Sequence, residues 1–281
     1  MTYDGCETWI FVNNLPIAQF YAVGADMAVP YNVMGGLQDN GAWRGPSRTR
    51  VPSGIHNSDW MAVGGGDGFY STPDPEDTDT ISTSSQFGNI TRFDAKTRTS
   101  RSIRPREQGQ RANWMSPFFL SPHNAKILYW AGNKLYRSLD RGDTWSTISP
   151  DLTTNNPDKI RGNVPHCTIT TIDESPLKAG VLWAGTDDGN VWVTQDGGVN
   201  WTQVNGNMPG APKEWWISRV QASPHDAGTA FVSITGFRED SEVPYVYKTT
   251  DFGKTFTSIS AGMAPGQVSV IRQDRINPNL L

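Results

Sequence analysis

Carboxylate and amide side chains recur in glycine-rich turns of this sequence, in patterns that suit the binding of a cation or a polar ligand. The segments GGLQDNG and GGGDG place Asp39 and Asp67 among small neighbours that let the backbone approach a ligand closely. Asp187 stands in a third such turn, TDDGN. Oxygen ligands of this kind suit Ca²⁺ or Mg²⁺ better than zinc. We therefore predict a divalent cation at Asp39, Asp67 and Asp187, and no organic cofactor.

The same turns supply the candidate catalytic and ligand-binding residues. Asp39, Asp67 and His166 are the candidate catalytic groups, and His166 is included because it precedes a predicted innermost strand. The candidate ligand-binding residues are polar, charged or aromatic: Gln38, Asn40, Arg44, Trp114, Asp187, Asp188, Trp216, Arg219, Glu239 and Asp240. A purely structural interpretation stays open, because Asx-Gly pairs such as Asn40-Gly41 are typical of two-residue hairpin turns.

A repeated motif indicates how these turns are positioned. The pattern Ser/Thr-x-Asp-x-Gly-x-Thr/Asn-Trp/Phe occurs as SLDRGDTW (138–145), TQDGGVNW (194–201) and TTDFGKTF (249–256). A fourth copy, TYDGCETW (2–9), carries Cys6 in place of the glycine. The aspartate can accept hydrogen bonds from backbone N–H groups two or three residues further on, and the closing aromatic can pack beneath the turn. We predict a structural role for these aspartates.

Runs rich in β-formers, broken by Pro or Gly, surround each copy of the motif. Four antiparallel strands in ~40–55 residues are typical of one blade of a β-propeller. We predict an all-β, single-domain β-propeller over residues 1–281, with five complete four-stranded blades and remnants of a sixth. The predicted blades cover residues 18–60, 61–108, 113–152, 166–206 and 215–262, and the remnants are an outer strand at 9–15 and an inner strand at 267–274.

Composition excludes several classes of protein. The 281 residues include 24 Lys+Arg and 28 Asp+Glu, and the resulting net charge of −4 argues against a nucleic-acid partner. No apolar run approaches the ~20 residues of a membrane span. Cys6 and Cys167 are too few for a disulfide framework, and no signal peptide is visible at the start of the sequence.

The repeated motif resembles the Asp-box, or bacterial neuraminidase repeat. Together with PIAQFYAVGADMAVPYNVMGGLQDNGAWRGPS (16–47) and GTDDGNVWVTQDGG (185–198), it makes the chain similar to large bacterial secreted propellers of the sortilin-like and two-propeller xyloglucanase-like type. The resemblance implies a secreted or periplasmic parent family, of which this chain is an internal piece. Two departures stand out. The Phe/Tyr-Arg-Ile-Pro segment of sialidases is absent, and a single propeller offers at most one wall of the cleft that carries the catalytic carboxylates of those xyloglucanases.

Two classes of function fit these observations. The first is a binding module that holds a glycan, a peptide or a small anionic ligand at the acidic, aromatic mouth of the central channel. The second is a hydrolase that uses a divalent cation at the same mouth on phosphate esters, sulfate esters or glycosides. We also predict a homodimer, because the inner strand at 267–274 would present unpaired backbone groups that a second copy could cover.

Overall fold

The computed structural model describes residues 1–10, 18–162 and 166–281, and short antiparallel strands dominate it. In chain order the strands are β1 Phe20–Ala25, β2 Asn32–Leu37, β3 Gly41–Pro46, β4 Met61–Gly64, β5 Ser71–Pro73, β6 Thr80–Ser85, β7 Asn89–Asp94, β8 Thr99–Ser102, β9 Phe118–Leu120, β10 Leu128–Ala131, β11 Leu135–Ser138, β12 Ser146–Thr147, β13 Ile169–Glu174, β14 Leu182–Thr186, β15 Val191–Thr194, β16 Thr202–Gln203, β17 Trp216–Ala222, β18 Ala230–Thr235, β19 Tyr245–Thr249 and β20 Thr257–Ser258. The helical elements found in these residues are single 3₁₀ turns at Asn57–Asp59, Gln86–Gly88, Asn205–Asn207 and Phe237–Glu239. A membrane-crossing helix is not found in the part of the chain that is described.

Every four consecutive strands form one antiparallel sheet, in which each strand pairs with its neighbours in sequence. This gives five four-stranded sheets, which confirms the predicted all-β propeller class. One predicted boundary moves. Met61 and Ala62 of β4 pair with β3, so the first blade ends after Gly64 and not at residue 60. The long connection between β3 and β4, residues 47–60, hid this strand from the sequence pattern.

Clusters of buried apolar side chains lie between consecutive sheets and hold them face to face. The largest joins the fourth and fifth sheets through residues such as Trp183, Ile217 and Val232. Burying one such side chain contributes about 1.5–3 kcal/mol. Stability therefore comes from stacking each sheet on the next, around the central channel of the propeller lined by the first strands.

Residues 267–274 pack beside the fifth sheet without joining it by strand pairing. The Val268 carbonyl accepts a hydrogen bond from Ser218 Oγ at 2.6 Å, and Gln273 N donates to Gln221 Oε1 at 2.8 Å. Val268 and Ile271 complete an apolar cluster of the fifth sheet. The segment therefore lies where the first strand of a sixth blade would lie, but the predicted strand at 267–274 is wrong, since none of the described strands pairs with it through backbone hydrogen bonds. Of the predicted outer strand 9–15, residues 11–15 lie outside the described residues, and Trp9 and Ile10 are not in a strand.

The four copies of the repeated motif form turns that we call the Asp turns (residues 2–9, 138–145, 194–201 and 249–256). In the second, Asp140 accepts from Thr144 N at 2.8 Å and from Thr144 Oγ1 at 2.6 Å, and Gly142 N donates to Ser138 Oγ. The backbone donor lies four residues on, and not two or three as predicted. These hydrogen bonds lower the pKa of Asp140 to about 2. Both carboxylate oxygens are thus committed to the turn.

Candidate functional site at the mouth of the channel

The turns between second and third strands meet the segments that lead into the next first strand, and together they form one end of the channel, the mouth. Asp39 N in the β2–β3 turn donates to Asp67 Oδ1 at 2.7 Å, ahead of β5. Phe87 N in the β6–β7 turn donates to the Trp114 carbonyl at 3.1 Å, ahead of β9. The predicted grouping of these loops at one end is therefore present in the structure.

Asp67 acts as a cap for the neighbouring turn. Its side chain is buried, and Oδ1 accepts the backbone N–H of Asp39, which has a left-handed φ of 60°. Asp39 and Asn40 are exposed, and the Asn40 carbonyl accepts from Trp43 Nε1 at 2.7 Å. Gln38 accepts from Tyr21 OH at 3.1 Å. This corner of the mouth is held by turn chemistry, as the structural interpretation proposed.

A buried polar network at the third and fourth blades surrounds Asp187. Thr168 donates to Asp187 through N at 2.9 Å and through Oγ1 at 2.6 Å, and Asn113 Nδ2 approaches Oδ2 at 3.4 Å. His166 Nδ1 lies 3.5 Å from Asp187 Oδ1. Burial raises the pKa of the Asp187 carboxyl, although the Thr168 hydrogen bonds and the nearby imidazole oppose that rise. The sequence analysis named His166 and Asp187 separately, and the structure brings them together.

His166 is the accessible member of this network. Its side chain is 30% exposed, while Nδ1 is buried and makes no hydrogen bond within the described part of the chain. A partly exposed imidazole beside a buried carboxylate can donate or accept a proton or a hydrogen bond. At the mouth, His166 can therefore take part in hydrogen bonding or proton transfer through the exposed part of its ring.

The residues around His166 are occupied by structural contacts. Asp188 accepts from Thr154 N and Thr154 Oγ1, each at 2.7 Å. Cys167 is buried, and burial raises the pKa of its thiol, which disfavours the nucleophilic thiolate. Arg111 donates to the Cys167 carbonyl at 3.2 Å and pairs with Asp151 at 2.7 Å.

Aromatic side chains border the mouth on both sides of this network. Trp114 meets Phe87 edge-to-face with ring centroids 5.0 Å apart. At the fifth blade, the Arg238 guanidinium carbon lies 4.0 Å from the centroid of the Trp216 ring, a cation–π stack. Glu239 and Asp240 are exposed beside Arg238. The mouth therefore combines aromatic rings with exposed amide and carboxylate groups.

Two predicted ligand-binding residues lie elsewhere. Arg44 forms an ion pair at 3.1 Å with Asp26, which follows β1 at the opposite end of the channel, because the buried Asp26 carboxylate needs a cationic partner. Arg219 lies inside the channel, on β17, and not at the mouth. Sequence reasoning missed Thr168, which carries no signal beyond its place next to His166 and Cys167. It also missed Arg272 in the channel, which lies in a segment interpreted only as an edge strand.

The predicted metal site does not assemble. Asp67 Oδ1 is used by Asp39 N, and Asp187 is surrounded by Thr168, Asn113 and His166. Within the described residues, no group of three or more His, Cys, Asp or Glu side chains is arranged to hold a metal ion. These three aspartates do not fit a shared cation, and we derive no chemical step through one.

Comparisons with known proteins support the fold. No protein-family model matches the chain, and no curated protein matches its sequence. Among solved structures, it is similar to a GH74 xyloglucanase from Xanthomonas campestris, with 14% identity, a TM-score of 0.50 and coverage of 93% of this chain and 50% of that one. The extracellular domain of a hybrid two component system from B. thetaiotaomicron matches with 14% identity, a TM-score of 0.58 and coverage of 92% of this chain and 30% of that one.

A third structure, a β-propeller domain from Myceliophteria thermophila, matches with 10% identity, a TM-score of 0.52 and coverage of 83% of this chain and 66% of that one. The chain thus spans half of the xyloglucanase and less than a third of the B. thetaiotaomicron protein. At these identities the likeness shows the propeller fold alone.

Proposed function

We propose that this chain is a ligand-binding propeller module that holds a hydroxyl-rich ligand, a glycan, at the mouth of its channel. The observation that carries the proposal is His166, a partly exposed imidazole whose buried Nδ1 faces the Asp187 carboxylate at 3.5 Å, so that Nε2 is the nitrogen that would bond a ligand. Sugars are recognised through many hydroxyl groups, each of which needs a donor or an acceptor. The mouth supplies such groups through His166 and the exposed polar side chains around it.

The aromatic residues of the mouth support the same ligand class. The rings of Trp114 and Trp216 are half-buried, so each presents rigid apolar surface next to polar atoms. Exposed Asn40, Glu239 and Asp240 add hydrogen-bonding groups around the rim. A few polar groups set among aromatic surfaces are typical of small-ligand sites.

An array of neutral oligosaccharides, followed by calorimetric titration of any hit, tests this proposal. His166→Gln is expected to weaken binding about tenfold, since one hydrogen bond contributes about 1.4 kcal/mol. His56→Gln is the matched control, because His56 is exposed in the β3–β4 connection, at the end opposite the mouth. Equal affinity of wild type and His166→Gln for the hit would contradict the proposal, as would an array without any hit.

A second candidate, a hydrolase, rests on the 3.5 Å approach of His166 Nδ1 to Asp187 Oδ1. A carboxylate beside Nδ1 favours a proton on that nitrogen and leaves Nε2 to accept one from water. The water oxygen would then attack the ester or glycosidic centre, the bond to the leaving oxygen would break, and the imidazolium, stabilised by Asp187, would return its proton to that oxygen.

Chromogenic phosphate, sulfate and carboxylate esters and glycosides, each assayed with and without EDTA, test the hydrolase. His166→Gln is expected to lower turnover at least ~100-fold, which is typical for loss of a general base. Background rates that this variant leaves unchanged would contradict the assignment. If EDTA abolished turnover, the metal-free mechanism would be contradicted and the predicted divalent cation would be supported.

We also infer that the chain belongs among the secreted Asp-box propellers of the sortilin-like and xyloglucanase-like type. Support comes from the four Asp turns, which share one hydrogen-bond pattern: Asp4, Asp140, Asp196 and Asp251 each accept the backbone N–H of the residue four positions on. The secreted or periplasmic location of that parent family stays a prediction.

The homodimer also stays a prediction. Segment 267–274 has no strand partner among the described residues, and Val270 on it is 53% exposed. Light scattering is expected to show a dimer for the full chain and a monomer for a chain that ends at Gly262. A monomeric full chain, or a dimer that survives the truncation, would contradict it.

A further inference from the structure

Away from the mouth, the channel contains a cavity whose wall carries three arginines and two acidic residues. It has a volume of about 600 Å³ and is lined by the first strands of the third, fourth and fifth blades and by Arg272, Gln273 and Arg275. Three arginines line it: Arg219 from β17, and Arg272 and Arg275 from the C-terminal segment. Its volume lies in the range of small-molecule sites.

In the part of the chain that is described, the three arginines are not in direct ion pairs, although the Asp173 carboxylate lies near enough to Arg219 and Arg272 to feel their charges. None of the three forms an ion pair within the described residues, and residues 11–17 and 163–165 contain no acidic residue. Arg219 Nε is buried and has no hydrogen-bond partner in the described chain. A buried guanidinium donor without an acceptor costs free energy, so an acceptor supplied by a ligand would stabilise it.

The two acidic residues of the cavity wall are engaged by neutral donors. Asp173 accepts from Ala222 N at 2.9 Å and from Glu174 N at 3.1 Å. Glu174 accepts from Gly180 N at 2.9 Å and from Tyr129 OH at 3.2 Å. Burial raises the pKa of Asp173 to about 6, in spite of the positive charges of Arg272 and Arg219. These carboxylates therefore leave Arg219 Nε without an acceptor among the described residues, whereas Arg272 Nη1 donates to the Ile271 carbonyl at 3.2 Å.

Arg219 and Arg272 are close enough to feel each other's charge. Arg272 is exposed to the solvent of the channel, yet desolvation by the channel wall, together with the positive charge of Arg219, lowers its pKa. Two neighbouring guanidinium groups repel each other; the single charge of Asp173 opposes that repulsion, and a bound anion would reduce it further. Each offers a planar fork of N–H donors that matches the oxygens of a carboxylate, a sulfate or a phosphate.

We propose that the Arg219, Arg272 and Arg275 cavity is a binding site for an oxyanion group of a small ligand. This site does not include the mouth residues on which the glycan proposal rests. Its ligand would be an anion, whereas the ligand proposed for the mouth is a neutral, hydroxyl-rich glycan. The shared chemistry is a group whose negative charge is spread over two or more oxygens, as in sulfate, phosphate and the carboxylate of glucuronate.

Calorimetric titration of the full chain with sodium sulfate, inorganic phosphate and glucuronate, at constant ionic strength, tests this site. We expect saturable binding of at least one probe, reduced at least tenfold in both Arg219→Gln and Arg272→Gln. Arg106→Gln is the matched control, because Arg106 is an exposed arginine outside the channel, and it should bind as wild type does.

Arg219→Lys keeps the charge and removes the planar fork, so it covers the case in which Arg219→Gln does not fold. Its affinity is expected to fall between those of wild type and Arg272→Gln. No saturable binding of any probe would overturn the proposal, as would equal losses in Arg106→Gln and Arg272→Gln. Because His166 is unchanged in all these proteins, glycan binding reports separately on the mouth.

Discussion

The outer turns and the central channel of this propeller are built on opposite principles. On the outside, three Asp turns repeat nearly the same residues, and Trp145 and Trp201 donate to the carbonyls of Ile103 and Ile148 in the preceding blades. Repetition there serves a task that every blade shares, which is to close a hairpin and bind it to its neighbour. Residues that recur in this way hold the fold together.

In the channel, equivalent positions of consecutive blades carry different side chains. The residue two positions before each Ser-Pro turn is Phe119, Asp173 or Gln221, and Arg272 takes the same place in the C-terminal segment. Aromatic, acidic, amide and cationic groups thus stand side by side on one wall. A ligand needs such variety, whereas the fold does not, and this difference supports the proposal that non-repeating residues bind the ligand.

The largest expected effect is on the outside, at Gly198. Its φ is +98°, and a Cβ there would collide with the Ile148 carbonyl oxygen. We expect Gly198→Ala to lower the free energy of unfolding by about 3 kcal/mol, from ~1 for the left-handed backbone and ~2 for overpacking. Urea denaturation measures this. Gly206→Ala is the control, since nothing lies within 4 Å of a Cβ at that position. Similar losses in both variants would refute the packing argument.

A second prediction compares two Asp turns of equal local geometry. The pKa values of Asp196 and Asp4 are both lowered to about 2, chiefly by hydrogen bonds within their turns. The contribution of Asp196 is therefore fully present above about pH 4 and is lost as the pH falls through about 2. Asp196→Ala should lower the Tm at pH 7 and reduce the loss of stability on acidification.

Asp4→Ala should change the Tm much less. Residues 1–10 make no hydrogen bond to the rest of the described chain, and Trp9 is 70% exposed. Differential scanning calorimetry of the two variants decides the point. A loss of Tm for Asp4→Ala as large as that for Asp196→Ala would contradict this prediction, because it would mean that the first Asp turn also packs against the rest of the propeller.

A third prediction concerns the channel, at Asp173, where the expected effect is smaller than at Gly198. Its folded pKa of about 6 lies above the usual 3.8, so the native state binds more protons and stability falls as the pH rises from about 4 to 6. Asp173→Asn removes the buried charge but loses an acceptor for a backbone N–H. We expect it to be about 1 kcal/mol more stable than wild type at pH 8. Urea denaturation from pH 4 to 8 checks this, and a variant that keeps the same pH slope would contradict it.

The fold could be predicted from the sequence because its signals are local and repeated. Three regularly spaced Asp motifs, with strand-like runs before each, indicated the order of the strands. The fourth strand of the first blade, Met61–Gly64, was misplaced because a 14-residue connection without a motif separates it from β3. Segment 267–274 was predicted as a strand because its residues favour one, but a strand also requires a pairing partner.

The candidate site could be predicted only in part, since it depends on contacts between blades. Asp39, Asp67, His166 and Asp187 lie at the mouth as expected, but their partners are distant in sequence. His166 lies beside Asp187, which is 21 positions away in sequence, and Arg272 feels the charge of Arg219, which is 53 positions away. No local sequence pattern joins either pair. Arg44 was misassigned because nothing near it in sequence reveals the buried Asp26 carboxylate.

The most direct test of the central claim measures glycan affinity and Tm together for His166→Gln and Asp196→Ala, at a temperature where both are folded. The claim is that non-repeating residues of the mouth bind the ligand while the repeated outer turns hold the fold. The account predicts that His166→Gln loses about tenfold in affinity with an unchanged Tm, and that Asp196→Ala has a lower Tm with unchanged affinity. Wild-type affinity in His166→Gln, or a loss of affinity in folded Asp196→Ala, would contradict it.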